Sequence, residues 1–214
     1  MSAHRFDRCD AVTVFVVVAT SAITAVVYPR LPASVPVHFD LHAHADGFMP
    51  RALGAFLLPV FTLLIGAFLR LSPWILSSRW KGRLENSPLS ALTLCLVSLF
   101  VGLQLVILYA ALVPHGSIGA ALSIALGLFC LGLGALMPRT RRNPIVGVRT
   151  AWTLASDENW ARTHRVAGIT MSIGGVIAIV AGLGKFPAVA ILSVIATMMW
   201  PAVYSFVLAR KLQR

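Results

Sequence analysis

Charged residues are scarce in this sequence. They make up 12% of its 214 residues, whereas hydrophobic residues make up 58%. A soluble domain carries about 25% charged residues, so the large apolar surface of this chain must face something other than water. The mean hydropathy of +0.84 points to the same medium, a lipid bilayer. An ordinary soluble fold is therefore excluded.

Cysteine and catalytic motifs are also lacking. The three cysteines, Cys9, Cys95 and Cys130, follow no metal-binding or disulfide spacing. No Asp, Glu or Lys lies in the middle of a hydrophobic segment, where ion-coupled transporters place such groups. No HExxH motif, phosphate-binding loop or nucleophile-base-carboxylate arrangement is visible. The sequence thus disfavours an enzyme, and a transporter would lack its usual signature.

Long uncharged runs take the place of charge. They cover residues 11–29, 52–69, 86–138, 166–184 and 186–209. A membrane-spanning helix needs about 20 apolar residues, so the third run must hold two helices, separated at Val113-Pro114-His115-Gly116. The sequence therefore predicts an all-α integral membrane protein with six transmembrane helices.

The net charge of +11 is explained by topology. If the spans alternate, only Arg30, Arg51 and Lys185 of the 18 Lys and Arg residues fall on one side of the membrane. Positive charge stays in the cytoplasm during insertion, so both termini are predicted to be cytoplasmic. The expected location is the bacterial inner membrane, with the lipid bilayer as partner and no direct contact with nucleic acid.

Two units follow from the order of the spans. Residues 1–88 form an N-terminal two-span unit with an external loop rich in His and Asp. Residues 89–214 form a four-span unit with a structured cytoplasmic loop at 139–166. Within the four-span unit, Gln104 lies at mid-depth of its helix, and a buried amide in a bilayer usually bonds another helix.

The cytoplasmic loop is the densest stretch of polar residues. Turn residues come first, and Ser156 then begins a helix as its N-cap, with Asp157 and Glu158 in the first turn. At 3.6 residues per turn, Trp160, His164 and Gly168 share one helix face. We expect a folded docking surface in which a partner orients His164. The alternative is that its arginines only fix topology and its tryptophans anchor at the interface.

The external loop alternates polar and apolar residues. In a strand, five polar side chains would share one face: His38, Asp40, His42, His44 and Asp46. Imidazoles with carboxylates suit a divalent transition metal such as zinc, so these residues are a candidate metal site, possible in a membrane-embedded metalloenzyme. A solvated polar loop would show the same pattern.

Two stretches together resemble the SdpI family of bacterial membrane proteins. In the cytoplasmic loop the similar positions are Asn143, Gly147, Arg149, Thr150, Thr153, Leu154, Trp160, His164 and Gly168. The external stretch YPRLPASVPVHFD, continuing to Asp46 and Arg51, is similar to a small domain of unknown function that precedes this signature in many members.

The resemblance implies a multi-pass protein that gives immunity to a secreted antimicrobial peptide toxin or senses it. A peptide toxin would then be met on the external side, and a signalling member would bind a small repressor at its cytoplasmic face. Asn143, Gly147, Arg149, Thr150, Thr153, Trp160 and His164 are the implied binding or signature residues, and no catalytic residue is implied. A metal-dependent membrane enzyme and a small-solute transporter are the alternatives.

Overall fold

The computed structural model describes residues 6–75, 87–113, 116 and 118–212. Six of its helices are long and apolar enough to cross a membrane, which confirms the predicted number of spans. They are α1 (Arg8–Val27), α2 (Arg51–Ile75), α3 (Leu89–Leu112), α4 (Ile118–Leu136), α6 (Asp157–Leu183) and α7 (Pro187–Leu212). A short helix, α5 (Ala151–Ala155), lies between α4 and α6. Single 3₁₀ turns follow α1 and α4 at Tyr28–Arg30 and Met137–Arg139.

The helices form two groups that meet between α3 and α4. Helix α6 makes its largest contacts with α4 and α7, while α3 is packed by α1 and α2. Glycine lets α4 and α6 approach closely, because a Cβ on Gly127 would lie 2.7 Å from the backbone oxygen of Gly175. With no hydrophobic force between helices in lipid, such close backbone packing is what holds a membrane bundle together.

Gln104 of α3 joins the helices of the first group. Its Nε2 donates to the backbone oxygen of Ala55 in α2 at 2.9 Å, and lies 3.4 Å from Thr24 Oγ1 in α1. Pro59 has no N–H, so the Ala55 carbonyl four residues earlier cannot form its usual helical hydrogen bond. Gln104 supplies that bond from another helix, as the sequence predicted.

The predicted single strand is instead a hairpin. Strands β1 (Ser34–Phe39) and β2 (Ala45–Pro50) pair antiparallel between α1 and α2. The turn needs a left-handed residue, and Ala43 takes it with φ of 64°. The expectation that the five His and Asp side chains share one strand face is therefore wrong, because Asp40, His42 and His44 lie in or beside the turn. The hairpin lies at one end of the bundle, here called the hairpin end. The segment from Thr140 to Ser156, here called the signature loop, lies at the other.

Candidate functional site

Asn143 shapes the beginning of the signature loop. Its side chain is fully buried, and its Oδ1 accepts from the backbone N–H groups of Ile145 and Val146, both at 2.8 Å. Its Nδ2 donates to the backbone oxygens of Arg141 and Val146. Every donor and acceptor of this amide serves the loop backbone, so Asn143 acts as an internal brace for the turn.

Gly147, Trp160 and His164 connect this turn to α6. Gly147 has φ of 116°, and a Cβ there would overlap Nε2 of His164 and lie 3.1 Å from the Trp160 ring. The Trp160 and His164 rings stack with centroids 4.0 Å apart, and both side chains are buried. The helical spacing thus correctly placed Trp160 and His164 on one face of α6.

The hydrogen bonds of His164 define its tautomer. The backbone N–H of Val148 donates to Nε2 at 3.0 Å, so Nε2 carries the lone pair. Nδ1 then carries the proton and donates to the backbone oxygen of Trp160 at 2.9 Å. A proton on Nε2 would place two donors against each other, which makes His164 a buried, neutral support for the loop.

The second half of the loop is anchored by Thr150 and Thr153. They form a reciprocal capping box at the start of α5, and Thr153 Oγ1 donates to the backbone oxygen of Val148 at 2.7 Å. Thr150 also contacts Ser205 of α7, with 3.0 Å between the two hydroxyl oxygens. Arg149 is exposed and donates to the backbone oxygen of Pro144 at 2.6 Å. The loop is therefore tied to α7 as well as to α6.

Sequence reasoning missed several residues of this network. Asn159 Nδ2 donates to the backbone oxygen of Ser205, and its Oδ1 accepts from Thr163. Arg142 pairs with Asp157 through Nε and Oδ1 at 2.8 Å. No local signal marked Asn159, because one position before Trp160 it is rotated by about 100° from that residue around α6.

The arrangement separates a buried framework from an exposed surface. Asn143, Thr153, Trp160 and His164 are at most 2% exposed, so they cannot themselves contact a partner in this conformation. Arg149 and Trp152 are exposed, and Trp152 packs against Phe206 of α7 with ring centroids 4.9 Å apart. Any docking would therefore use the exposed side chains rather than most of the signature residues.

At the hairpin end, the His and Asp residues pair within the hairpin. His38 Nδ1 lies 2.6 Å from Asp46 Oδ1 across the two strands. His44 Nδ1 lies 3.4 Å from Asp40 Oδ2. Within the described residues, no group of three or more His, Cys, Asp or Glu side chains is placed to hold a metal ion. Zinc binding by the five His and Asp residues stays a prediction that this arrangement of side chains does not support. Elemental analysis of the purified protein would check it.

Asp40 makes the hairpin turn sensitive to pH. The backbone N–H of His44 donates to its carboxylate at 2.9 Å, and that of His42 does so at 2.8 Å. These bonds, the one from His44 above all, lower the pKa of Asp40 from its ordinary value. A lowered pKa means that the ionised form stabilises the turn. That stabilisation is present above the unfolded-state pKa and is lost as pH falls through the folded-state pKa.

We therefore expect acid to loosen this turn. The measurement is hydrogen exchange at the His42 and His44 amides, corrected for intrinsic rates, in Asp40→Asn and the unaltered protein. Protection should fall on acidification below about pH 4 in the unaltered protein only, since the asparagine oxygen accepts at every pH. Equal pH dependence in both proteins would contradict the role of Asp40.

A cleft of about 710 Å³ lies between the hairpin and the neighbouring helix ends. The hairpin contributes His42, His44 and Phe48 to its lining, and the start of α4 and the turn between α6 and α7 contribute Gly119 and Lys185. The hairpin tip rests on the helices at Gly119, where an added Cβ would lie 3.3 Å from the Cβ of Ala43. The cleft is thus formed jointly by the hairpin and the ends of the neighbouring helices.

Comparison with known proteins finds two family models that match parts of this chain. Residues 139–205 match the SdpI/YfhL protein family, and residues 15–63 match a domain of unknown function, DUF1648. The first match contains the whole signature loop and also Ser205 of α7, which contacts Thr150 of that loop. Residues 139–205 of this chain are therefore similar to the SdpI family. The two SdpI-family stretches recognised in the sequence are those that the family models match.

A curated relative agrees with this assignment. The chain is 24% identical over 163 residues to a protein of Bacillus subtilis (strain 168) named "Immunity protein SdpI", and the match covers 76% of each chain. No solved structure matches this chain. The SdpI-family match and the six apolar spans make it a multi-pass membrane protein.

Proposed function

We propose that this protein protects a bacterial membrane against a secreted antimicrobial peptide by binding the peptide at the hairpin end. The cleft between hairpin and helix ends carries the proposal, because its volume lies within the range of about 300–1,000 Å³ typical of ligand sites. The relative named as an immunity protein supports the same role.

The proposal requires the hairpin end to face outward. Arg30, Arg51 and Lys185 are the cations of this end, whereas the signature loop and the helix termini beside it carry many more. By the positive-inside rule, this distribution of charge supports a cytoplasmic signature loop and cytoplasmic chain termini. A peptide arriving from outside would meet the cleft before it reached the bilayer interior.

Protection of a sensitive host tests the function. Bacteria producing the chain should survive at least one secreted antimicrobial peptide, from a panel of cationic and hydrophobic examples, at concentrations that kill cells with an empty vector. Membrane expression should be verified with a C-terminal tag. Unchanged killing across the panel, with normal expression, would contradict the immunity proposal.

Signalling is a second candidate function, favoured by the extensively hydrogen-bonded signature loop and its exposed side chains. Arg149 and Trp152 project from a loop braced on two helices, which suits recognition of a cytoplasmic protein such as a small repressor. Arg149→Lys keeps the charge but loses the planar guanidinium. Protection that persists in Arg149→Lys while a toxin-induced response disappears would separate signalling from immunity.

A further inference from the structure

Lys185 holds an unusual place in the backbone beside the cleft. Its N–H donates to the backbone oxygen of Gly182, and that of Phe186 donates to Ala181, which together form the Schellman ending of α6. The left-handed residue of this motif is usually glycine, yet Lys185 occupies it with φ of 64°. A lysine here carries a conformational cost that glycine would avoid.

The ammonium of Lys185 is available to a ligand. Its side chain lines the cleft and is exposed, and no carboxylate in the described part of the chain pairs with it. The nearest hairpin carboxylates are already engaged, since Asp46 pairs with His38 and Asp40 accepts from the turn backbone. Helix α7 begins at Pro187 on the same cleft, so the positive end of its dipole adds to the charge of Lys185.

Apart from Ser34, His42 and His44, the remaining lining of the cleft is apolar or glycine. Pro32, Ala110, Ala111 and Phe48 contribute apolar surface. The described sheet has only two strands, so each strand keeps one edge without a sheet partner. Such edges bind extended peptides through main-chain hydrogen bonds. A lipid tail has no donor or acceptor with which to form these bonds.

We propose that the cleft binds an apolar peptide through its carboxylate, with the Lys185 ammonium as the partner of that charge. A free peptide C-terminus would satisfy this chemistry, as would an acidic side chain close to it. This cleft is the one proposed above to bind the antimicrobial peptide, so the biological role of Lys185 rests on that proposed function. The binding itself can be tested without any toxin.

The test compares one peptide in two forms. N-acetyl-Leu-Ala-Phe with a free carboxylate and the same peptide with a C-terminal amide would be titrated against the full chain in phosphatidylcholine nanodiscs. We expect the acid to bind about tenfold more tightly than the amide, the difference that one charge-assisted contact of about 1.4 kcal/mol produces. Equal binding of the two forms, or binding of neither, would overturn the proposal.

The Lys185→Gly variant makes this test specific. Glycine favours the left-handed backbone at this position, so the variant should fold at least as well while lacking the amine. Its preference for the acid should disappear. Arg30→Gln is the matched control, because it removes an exposed cation at the hairpin end that does not line the cleft, and it should keep the preference.

Three further outcomes are distinguishable. In a second set of nanodiscs, phosphatidylglycerol replaces about one fifth of the phosphatidylcholine. If this replacement abolishes the acid preference, the site belongs to anionic lipid headgroups, and the peptide assignment is wrong. If the chain protects cells and Lys185→Gly protects equally well, the role of Lys185 fails while the immunity proposal survives. If the acid preference is found but the chain protects against no peptide, the immunity proposal fails and the ligand assignment stands.

Discussion

Replacing Gly147 by alanine is expected to lower the free energy of unfolding by about 3 kcal/mol. A side chain at φ of 116° strains the backbone, and the added Cβ would overlap His164 Nε2. The Trp160 ring lies 3.1 Å from the added Cβ and stacks on the His164 imidazole, so it prevents that imidazole from moving aside. The added Cβ would also break the hydrogen bond from the Val148 N–H to His164 Nε2. Denaturant or thermal unfolding of the purified protein, followed by tryptophan fluorescence, measures the change.

Gly66→Ala is the control for this substitution. Gly66 lies within α2, and a Cβ there would only touch Val97 Cγ2 at an ordinary 3.7 Å. We expect a change of less than about 1 kcal/mol, in the direction of greater stability, because alanine favours helix. Equal destabilisation by Gly147→Ala and Gly66→Ala would show that the Gly147 contacts described here do not hold the loop.

His164→Leu should destabilise the protein more than His164→Gln. Leucine fills the space but leaves the Val148 N–H without an acceptor, which costs about 1–3 kcal/mol when the group is buried. A glutamine oxygen can accept in its place, so His164→Gln should lose only about 1 kcal/mol. The same unfolding measurement applies, with hydrogen exchange at the Val148 amide as the specific readout.

The comparison also separates a structural role from a chemical one. If the two variants unfold alike and lose protection alike, a proton or metal on His164 would be required. His44→Leu provides a reference, because the His44 side chain is 80% exposed and its removal should leave stability almost unchanged.

The fold was largely predictable because each membrane-spanning helix requires about 20 consecutive apolar residues, which the sequence shows directly. Charge-free runs of sufficient length gave six spans, and the helical period placed Trp160 and His164 on one face of α6. The N-cap at Ser156 was also readable, and its hydroxyl accepts from the Asn159 N–H at 3.2 Å. These features depend on local spacing, which the sequence displays directly.

The parts that were not predicted depend on contacts between distant residues. Alternation of polar and apolar residues from His38 to Asp46 is compatible with one strand or with two, and the turn between them uses an alanine where glycine or asparagine would have signalled it. Ser205 lies 46 residues from Asn159, so nothing local relates them. The cleft is formed by elements that are distant in the sequence, and Lys185 had appeared only as one of three external charges.

The most direct test of the account is to fill the cleft and measure protection. Ala45→Trp places a large side chain at a cleft-lining position, whereas Leu41→Trp places the same side chain on an exposed hairpin position outside the lining. At equal membrane expression, and with a peptide against which the unaltered chain protects, survival should fall to the empty-vector level in Ala45→Trp and stay unchanged in Leu41→Trp. Full protection by Ala45→Trp would contradict the claim that the peptide is bound in the cleft.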